Sequence, residues 1–334
     1  MTLIIGPNIS LDQTVSVPHV TVGAIHRAPV VIKLAGGKGA NVARAMRRLL
    51  FGDPLLCGCF GGAIGAAVEG LLVREHIRYR PFRIQSETRI CFSIADETTG
   101  EQTEVYEQGA PLSEAESEGF IALAEQLLDE QTVGHSRWVG LTGSLPPGMP
   151  DDLYARLIAS AHAHGLHTLL DAKGEALRAG LTAVPDLLKI NATELGDALG
   201  QPTLDQAEPA EIAEATAQAI SHIPGGVAII TLGARGAVVV ATGGGRWHIE
   251  APRVKAISPV GSGDAVAGAL LVFFDGDTHT PDTHMPDTSD ERSLVSATSF
   301  AMAVGAANAQ HLGASQFTEA EVRALTGQAQ MREL

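Results

Sequence analysis

Basic residues are scarce in this 334-residue chain. Lys and Arg number 23 against 38 Asp and Glu, for a formal net charge of −15. A nucleic-acid binder needs basic surface to displace counterions, and anionic membranes attract the same surface, so neither partner is expected. Aromatic residues are only 4% of the chain, which leaves the core to aliphatic side chains and alanine. Three cysteines (Cys57, Cys59 and Cys91) are too few for a disulfide framework, and the odd count speaks for a reducing interior. Cys57-Gly58-Cys59 has the wrong spacing for a zinc knuckle. The apolar run 265–274 is too short to cross a bilayer. The N-terminus lacks the basic and long apolar regions of a signal peptide, so a cytoplasmic protein is expected.

Several catalytic signatures are missing too. The pair Gly37-Lys38 is followed by Gly39, and position 32 is not glycine, so the Walker phosphate loop is absent. Gly261-Ser262-Gly263 continues as Asp-Ala-Val and does not complete a dinucleotide fingerprint. Neither a G-x-S-x-G elbow nor an H-E-x-x-H helix occurs.

What is present is an alternation of strands and helices. After Pro111, short apolar runs at 138–141, 168–170, 187–190 and 227–232 are separated by helical patterns starting near Asp151, Lys173 and Thr193. That rhythm predicts βαβ units, a mainly parallel sheet and helices on both faces. Two β-rich stretches, 11–34 and 85–109, break it and are expected to form a small separate sheet. The main domain would then comprise 1–10, 35–84 and 110–334. The acidic segment from Asp275 to Arg292 lacks periodicity and is expected to be a solvated loop.

Two glycine-rich turns carry chemistry. Pro259-Val260-Gly261-Ser262-Gly263-Asp264 feeds an apolar helix. Free N–H groups at such a helix start can cradle an anion, and the dipole favours negative charge there. Asp264 enters at the same point, where a carboxylate can take the proton of a hydroxyl attacking a phosphoryl group. Taken alone, this turn fits an ordinary capped helix equally well. The second turn is Gly36-Gly37-Lys38-Gly39-Ala40-Asn41. It gathers N–H groups, an ammonium and a carboxamide at one helix start, which suits a polyhydroxylated anionic ligand.

Together the two turns resemble the two signatures of the PfkB-type, ribokinase-like carbohydrate kinases. The resemblance runs nearly the whole chain. Asn8-Ile9-Ser10-Leu11-Asp12 resembles the family's N-terminal sugar-binding turn, and Gly61-Gly62-Ala63-Ile64-Gly65 its second glycine run. Lys189-Ile190-Asn191-Ala192-Thr193-Glu194 resembles its Asn-x-x-Glu element, and Thr231-Leu232-Gly233-Ala234-Arg235-Gly236 the strand-turn beside the nucleotide. Within the family, Thr88-Arg89, Gly143-Ser144-Leu145-Pro146-Pro147-Gly148 and Pro259-Val260-Gly261-Ser262 resemble the tagatose-6-phosphate kinase and 1-phosphofructokinase branch. The chain departs from that branch at Ile9, and at Cys91 and Ser93, where Asn and Lys are common, which leaves one cation fewer.

The resemblance implies a three-layer α/β/α domain with a small β-sheet lid, and an ATP- and Mg2+-dependent kinase acting on a sugar phosphate. It implies Asp264 as base within the turn formed by Gly261, Ser262 and Gly263. It places the sugar on Asp12, Gly37, Lys38 and Asn41, and its phosphate on Arg89, Arg27 and Ser144. It places the nucleotide on Lys189, Asn191, Thr231, Gly233, Gly236 and Asn308, the last lining the adenine pocket. Asn191 and Glu194 would govern magnesium indirectly, and a homodimer would form through the lid. A neutral-sugar or nucleoside kinase of the same fold, and a non-catalytic sugar-phosphate sensor, stay open as alternatives. The acidity of the chain is unevenly spread. Through residue 52 there are six Lys or Arg and the single acid Asp12, so the stretch holding most of the expected sugar site is basic.

Overall fold

A computed structural model describes residues 1–49, 53–131, 136–275 and 290–334. The chain runs β1 (Thr2–Ile5), β2 (Ser10–Val17), β3 (Val30–Gly36), α1 (Lys38–Arg48), β4 (Pro54–Gly61), α2 (Gly62–Arg74) and β5 (Arg78–Ile84). It continues through β6 (Arg89–Asp96), β7 (Gln102–Tyr106), α3 (Glu114–Gln131), β8 (Trp138–Thr142), α4 (Leu153–Ala163), β9 (His167–Asp171) and α5 (Gly174–Thr182). Then come β10 (Leu187–Asn191), α6 (Ala192–Leu199), α7 (Pro209–Ile220), β11 (Val227–Thr231), β12 (Ala237–Ala241) and β13 (Arg246–Ile249). The last elements are α8 (Ser262–Asp275), α9 (Glu291–Ala309), α10 (Glu319–Leu325) and β14 (Met331–Glu333).

Ten strands form one sheet in the order β14-β13-β12-β11-β10-β9-β8-β1-β4-β5. From β5 to β11 neighbouring strands are parallel, and β12, β13 and β14 add antiparallel. Successive side chains of a strand point to opposite faces. In β1, Ile4 joins the core under α1, α8 and α9, whereas Leu3 and Ile5 join the core under α3 and α4. The same division along the sheet produces two apolar cores and three layers, the α/β/α architecture that the strand–helix rhythm and the family resemblance imply. Cys57 and Cys59 lie in the second core as free thiols; burial pushes Cys57 up to about 12 and Cys59 well above its usual range.

The small sheet has the order β3-β2-β6-β7. Its strands come from the two stretches that interrupt the rhythm, but extended structure is not continuous in either. Residues 18–29 form a loop between β2 and β3. Residues 78–84 belong to the large sheet as its edge strand β5, where Pro81 is tolerated because an edge need not donate on both sides.

The expected solvated loop at 275–292 lies largely outside the described residues, but both its ends are corrected: Asp290 caps α9, which already includes Glu291 and Arg292, and the first residue belongs to α8. Asp275 ends α8, and its carboxylate accepts from the hydroxyls of Thr2 and Ser136 and from the N–H groups of Arg137 (2.7 Å) and Trp138. It therefore ties the helix end to the starts of β1 and β8. Four donors lose their acceptor in Asp275→Ala. The variant is expected to be less stable by about 2 kcal/mol, read from the urea midpoint at unchanged slope.

Candidate active site

In a parallel sheet the carboxyl ends of the strands point towards one rim, and the loops there form the usual ligand crevice. A cleft of about 160 Å³ opens at this rim, lined among others by Asn8, Lys38, Arg89, Thr142, Ser144 and Glu194. The small sheet borders it through Arg89 and Tyr106.

The first glycine turn enters α1. Gly37 caps the helix at φ 87°, and a Cβ there would stand 2.6 Å from the carbonyl oxygen of Asn8, so glycine is required twice over. Asp12 packs against the same turn: a Cβ on Gly36 would overlap its carboxylate. Burial raises the affinity of Asp12 for a proton, against a 2.6 Å hydrogen bond donated by Ser10.

Lys38 is not a free cation. Its Nζ donates to Asp171 Oδ1 at 2.7 Å and to Glu194 Oε1 at 3.0 Å. Burial would favour the neutral amine, but Asp171, Glu194 and Asp264 overcome it and hold the ammonium charged. Asp171 is fully enclosed and is also bound by Lys189 Nζ at 2.7 Å. Burial pushes Asp171 up, yet the two lysines win and keep it ionised. A carboxylate bridging two ammoniums thus lies at the centre of the rim.

The second glycine turn enters α8 beside this bridge. Gly261 has φ 75°, and a Cβ there would lie 2.3 Å from that of Ala314. Among the described residues, no backbone acceptor takes the N–H groups of Gly263 or Asp264. Lys189 lies close beneath: a Cβ on Gly263 would reach within 3.0 Å of its Nζ. Two open N–H groups over an ammonium fit an anion such as a phosphate. Asp264 is 8% exposed, and its Oδ2 accepts from Asn41 Nδ2 at 2.8 Å. Burial pushes its carboxyl up to about 6; Asp171 adds to this, while Lys38, Lys189 and Asn41 oppose it. A base with that affinity is ionised at neutral pH and can accept a hydroxyl proton.

The structure thus brings Gly261, Ser262, Gly263, Asp264, Gly37, Lys38, Asn41 and Lys189 to one place, with Asp12 packed against the first turn. Arg89 and Ser144 line the cleft. Arg89 donates to the carbonyls of Asn8 (3.2 Å) and Glu107 (3.4 Å), and its buried Nε has no partner among the described residues. Ser144 accepts from Asn8 Nδ2 at 3.0 Å. Asn191 gives its Oδ1 to the N–H of Glu194, and Glu194 returns Oε2 to the N–H of Asn191; this reciprocal cap starts α6. Thr231 lies opposite Asn191 in the β10–β11 register, and Gly233 and Gly236 form the turn that follows at φ 61° and 96°.

Two expected site residues lie away from the cleft in the single chain. Arg27 is exposed in the 18–29 loop and does not line the cleft. Asn308 is fully enclosed rather than lining an open pocket. Its Nδ2 instead donates to Val260 O and Ser262 Oγ, both at 2.9 Å, and its Oδ1 accepts from Ser315 N. It braces the Gly261–Asp264 turn from below. Asp171 went unnoticed in the sequence, although an acid closing the strand 167–171 at a carboxyl end is a usable signal.

A doubly covered parallel sheet, two glycine-rich helix starts facing each other and a buried carboxylate between them define a phosphoryl-transfer enzyme of the α/β class. Residues 8–321 match the pfkB family of carbohydrate kinases, and the chain belongs to that family. Phosphofructokinase-2 from Escherichia coli, solved with fructose-6-phosphate, is similar at 24% identity and a TM-score of 0.81, with 98% of each chain covered. A possible 1-phosphofructokinase from Thermotoga maritima is similar at 17% identity and a TM-score of 0.83, covering 100% of this chain and 99% of that one. Ribokinase from Giardia lamblia follows at 18% and 0.74, covering 97% and 99%. These likenesses show a common fold, and family membership makes the protein an ATP-dependent sugar kinase.

Proposed function

We propose that the enzyme transfers the γ-phosphoryl group of ATP to a phosphorylated ketohexose. The acceptor would be tagatose-6-phosphate or fructose-6-phosphate at the 1-hydroxyl, or fructose-1-phosphate at the 6-hydroxyl, and the product a bisphosphate. The observation that carries this reading is Arg89: a half-buried guanidinium at the cleft wall whose Nη1 and Nη2 each give one N–H to a backbone carbonyl, of Glu107 and of Asn8, and each keep a second. A forked cation with N–H groups left to donate matches a phosphate better than a neutral sugar. The similar E. coli enzyme was solved with such a ligand.

In the proposed reaction Asp12 and Asn41 hold sugar hydroxyls, and Arg89 and Ser144 hold the sugar phosphate. The turn Gly261–Asp264 receives the transferred group. Asp264 takes the proton as the hydroxyl oxygen bonds phosphorus and the bond to the ADP oxygen breaks. Positioning and charge neutralisation supply most of the acceleration. Among the described residues, no group of three His, Cys, Asp or Glu side chains is placed to hold a metal ion by itself. Mg2+ would come with the nucleotide phosphates and neutralise their charge, and Glu194, an acid lining the cleft and fixed by its reciprocal cap with Asn191, would bear on it through water or phosphate.

The discontinuous small sheet, 11–34 and 85–109, serves as a lid that excludes water. Among the described residues, most large exposed apolar side chains belong to it, including Val22, Ile25, Val30, Val31, Val105 and Tyr106. A second copy of the lid would cover them, giving a homodimer. No helix is long and apolar enough to cross a membrane among the described residues, and the acid excess suits a cytoplasmic enzyme.

Arg89→Ala tests the substrate class. It is expected to raise KM for the sugar phosphate by ~10- to 100-fold, with KM for ATP unchanged, as a lost charge-assisted pair of about 1.5–3 kcal/mol requires. An unchanged KM for the sugar phosphate would refute a phosphosugar acceptor held by Arg89.

A further inference from the structure

Arg44 is 1% exposed in the middle of α1, and every nitrogen of its guanidinium donates a hydrogen bond. Its Nε donates to both carboxylate oxygens of Glu75, at 2.8 and 3.0 Å. Nη2 donates to the carbonyl of Ala35, at the end of lid strand β3, and Nη1 reaches Ala314 O at 3.5 Å. Nη1 also donates to Asn41 Oδ1 at 2.9 Å. That contact decides which way the amide of Asn41 points. Only an oxygen can face a guanidinium, and only an NH2 can face a carboxylate. With Oδ1 held by Arg44, Nδ2 is directed onto Asp264 Oδ2 at 2.8 Å. The backbone of Asn41 is fixed as well, since its carbonyl accepts from Ser315 Oγ at 2.8 Å.

We propose that Arg44 is a positioning residue for the phosphoryl transfer, which locks the Asn41 amide so that its NH2 orients the Asp264 carboxylate. This rests on the reading of Asp264 as the base. Arg44 acts through Asn41, because the groups that bear on Asp264 directly are Lys38 and Asn41 from α1, Asp171 from β9 and Lys189 from β10. Without Arg44 the amide can turn over once Asp264 is protonated and accept from its carboxyl O–H. That favours the protonated form, so the proton affinity of Asp264 rises, and the free oxygen of the carboxylate no longer has a fixed aim. The contact with Ala35 adds a link to the lid: the same guanidinium that sets the base also holds the last turn of β3 before Gly36.

A single Arg44→Met leaves Glu75 unpaired, so the test uses Arg44→Met with Glu75→Gln, in which the ion pair is removed as a whole. Arg44→Lys is the conservative companion, keeping the charge without the fork. Steady-state kinetics are measured across pH with ATP and whichever sugar the wild type turns over. In the double variant kcat is expected to fall roughly 10- to 100-fold, with KM for both substrates within about threefold. The acid limb of the kcat profile should move up by about one pH unit. Arg44→Lys should fall between this variant and wild type. A purely structural role would lower the thermal midpoint and the active fraction, but would leave the acid limb in place. Adding Asp264→Asn separates the claims. If Arg44 acts through Asp264, its replacement costs little more in that background; full additivity overturns the proposal, as does an unmoved acid limb in the folded variants. Wild-type turnover by Asp264→Asn alone would instead refute the base. A wild type active only on neutral sugars would refute the substrate class and leave the Arg44 test standing.

Discussion

Asp264→Asn is expected to lower kcat by roughly two to four orders of magnitude, the range for loss of a positioned general base, while the fold and ATP binding persist. The substitution preserves volume and the contact with Asn41 Nδ2 through the amide oxygen, so packing gives no reason for collapse. It removes the carboxylate that serves as base in the proposed reaction. Asp264 is enclosed, ringed by two ammoniums and one further acid, and burial pushes it up to about 6 rather than to its ordinary value of 3.8. The sign of the pH dependence follows. A base must be ionised to accept a proton, and protonation sets in as pH falls through about 6. Wild-type kcat should therefore fall tenfold per unit below that point, and the acid limb should vanish in the Asn variant. Turnover at the wild-type level with the limb intact would assign the proton to another group.

Asp171→Asn is expected to cost about 3–5 kcal/mol of stability, read from denaturant unfolding, because it removes the buried carboxylate that lies between two ammoniums. Asp171 is fully enclosed and Lys189 is 3% exposed, so the latter's ammonium has nowhere to find solvent. Lys38 is better placed: it is partly exposed and retains Glu194 at 3.0 Å. Activity should respond in a second, separable way. Asp171 raises the proton affinity of Asp264, whereas Lys38 and Lys189 lower it. Its removal should shift the acid limb of kcat to lower pH, even as kcat declines through loss of the Lys38 anchor. A loss under about 1 kcal/mol would mean that the lysines are not held as ammoniums.

Asp171 also shows where the sequence stops being informative. Strand–helix alternation is a local, periodic signal, and it was enough for the three layers and the separate small sheet. The two glycine turns were legible because backbone geometry demands glycine at fixed places, as at Gly37 and Gly261. A lone acid ending a strand has no such pattern. Its meaning arises only when β8, β9 and β10 lie side by side and bring Lys38 and Lys189 to it. Arg44 is similar: three arginines stand close together in α1, and nothing local separates the buried one from the others. Asn308 matched a family position in sequence, but the packing of α9 on α8 turned it inwards, where its amide completes a network beneath the Gly261–Asp264 turn. Arg27 belongs to a loop whose course depends on no periodicity at all. The residues that touch a ligand in the proposed reaction were the easier half to find, and those that hold them in place emerged from tertiary contacts.

The central claim is a phosphorylated ketohexose as acceptor, and it is tested most directly by following ADP formation from ATP-Mg2+ with fructose-6-phosphate, tagatose-6-phosphate and fructose-1-phosphate, beside fructose and ribose. The account predicts that one of the three phosphates is used with a kcat/KM at least ~100-fold above either neutral sugar, as a bound phosphate on Arg89 entails. Equal or better use of fructose or ribose would contradict it.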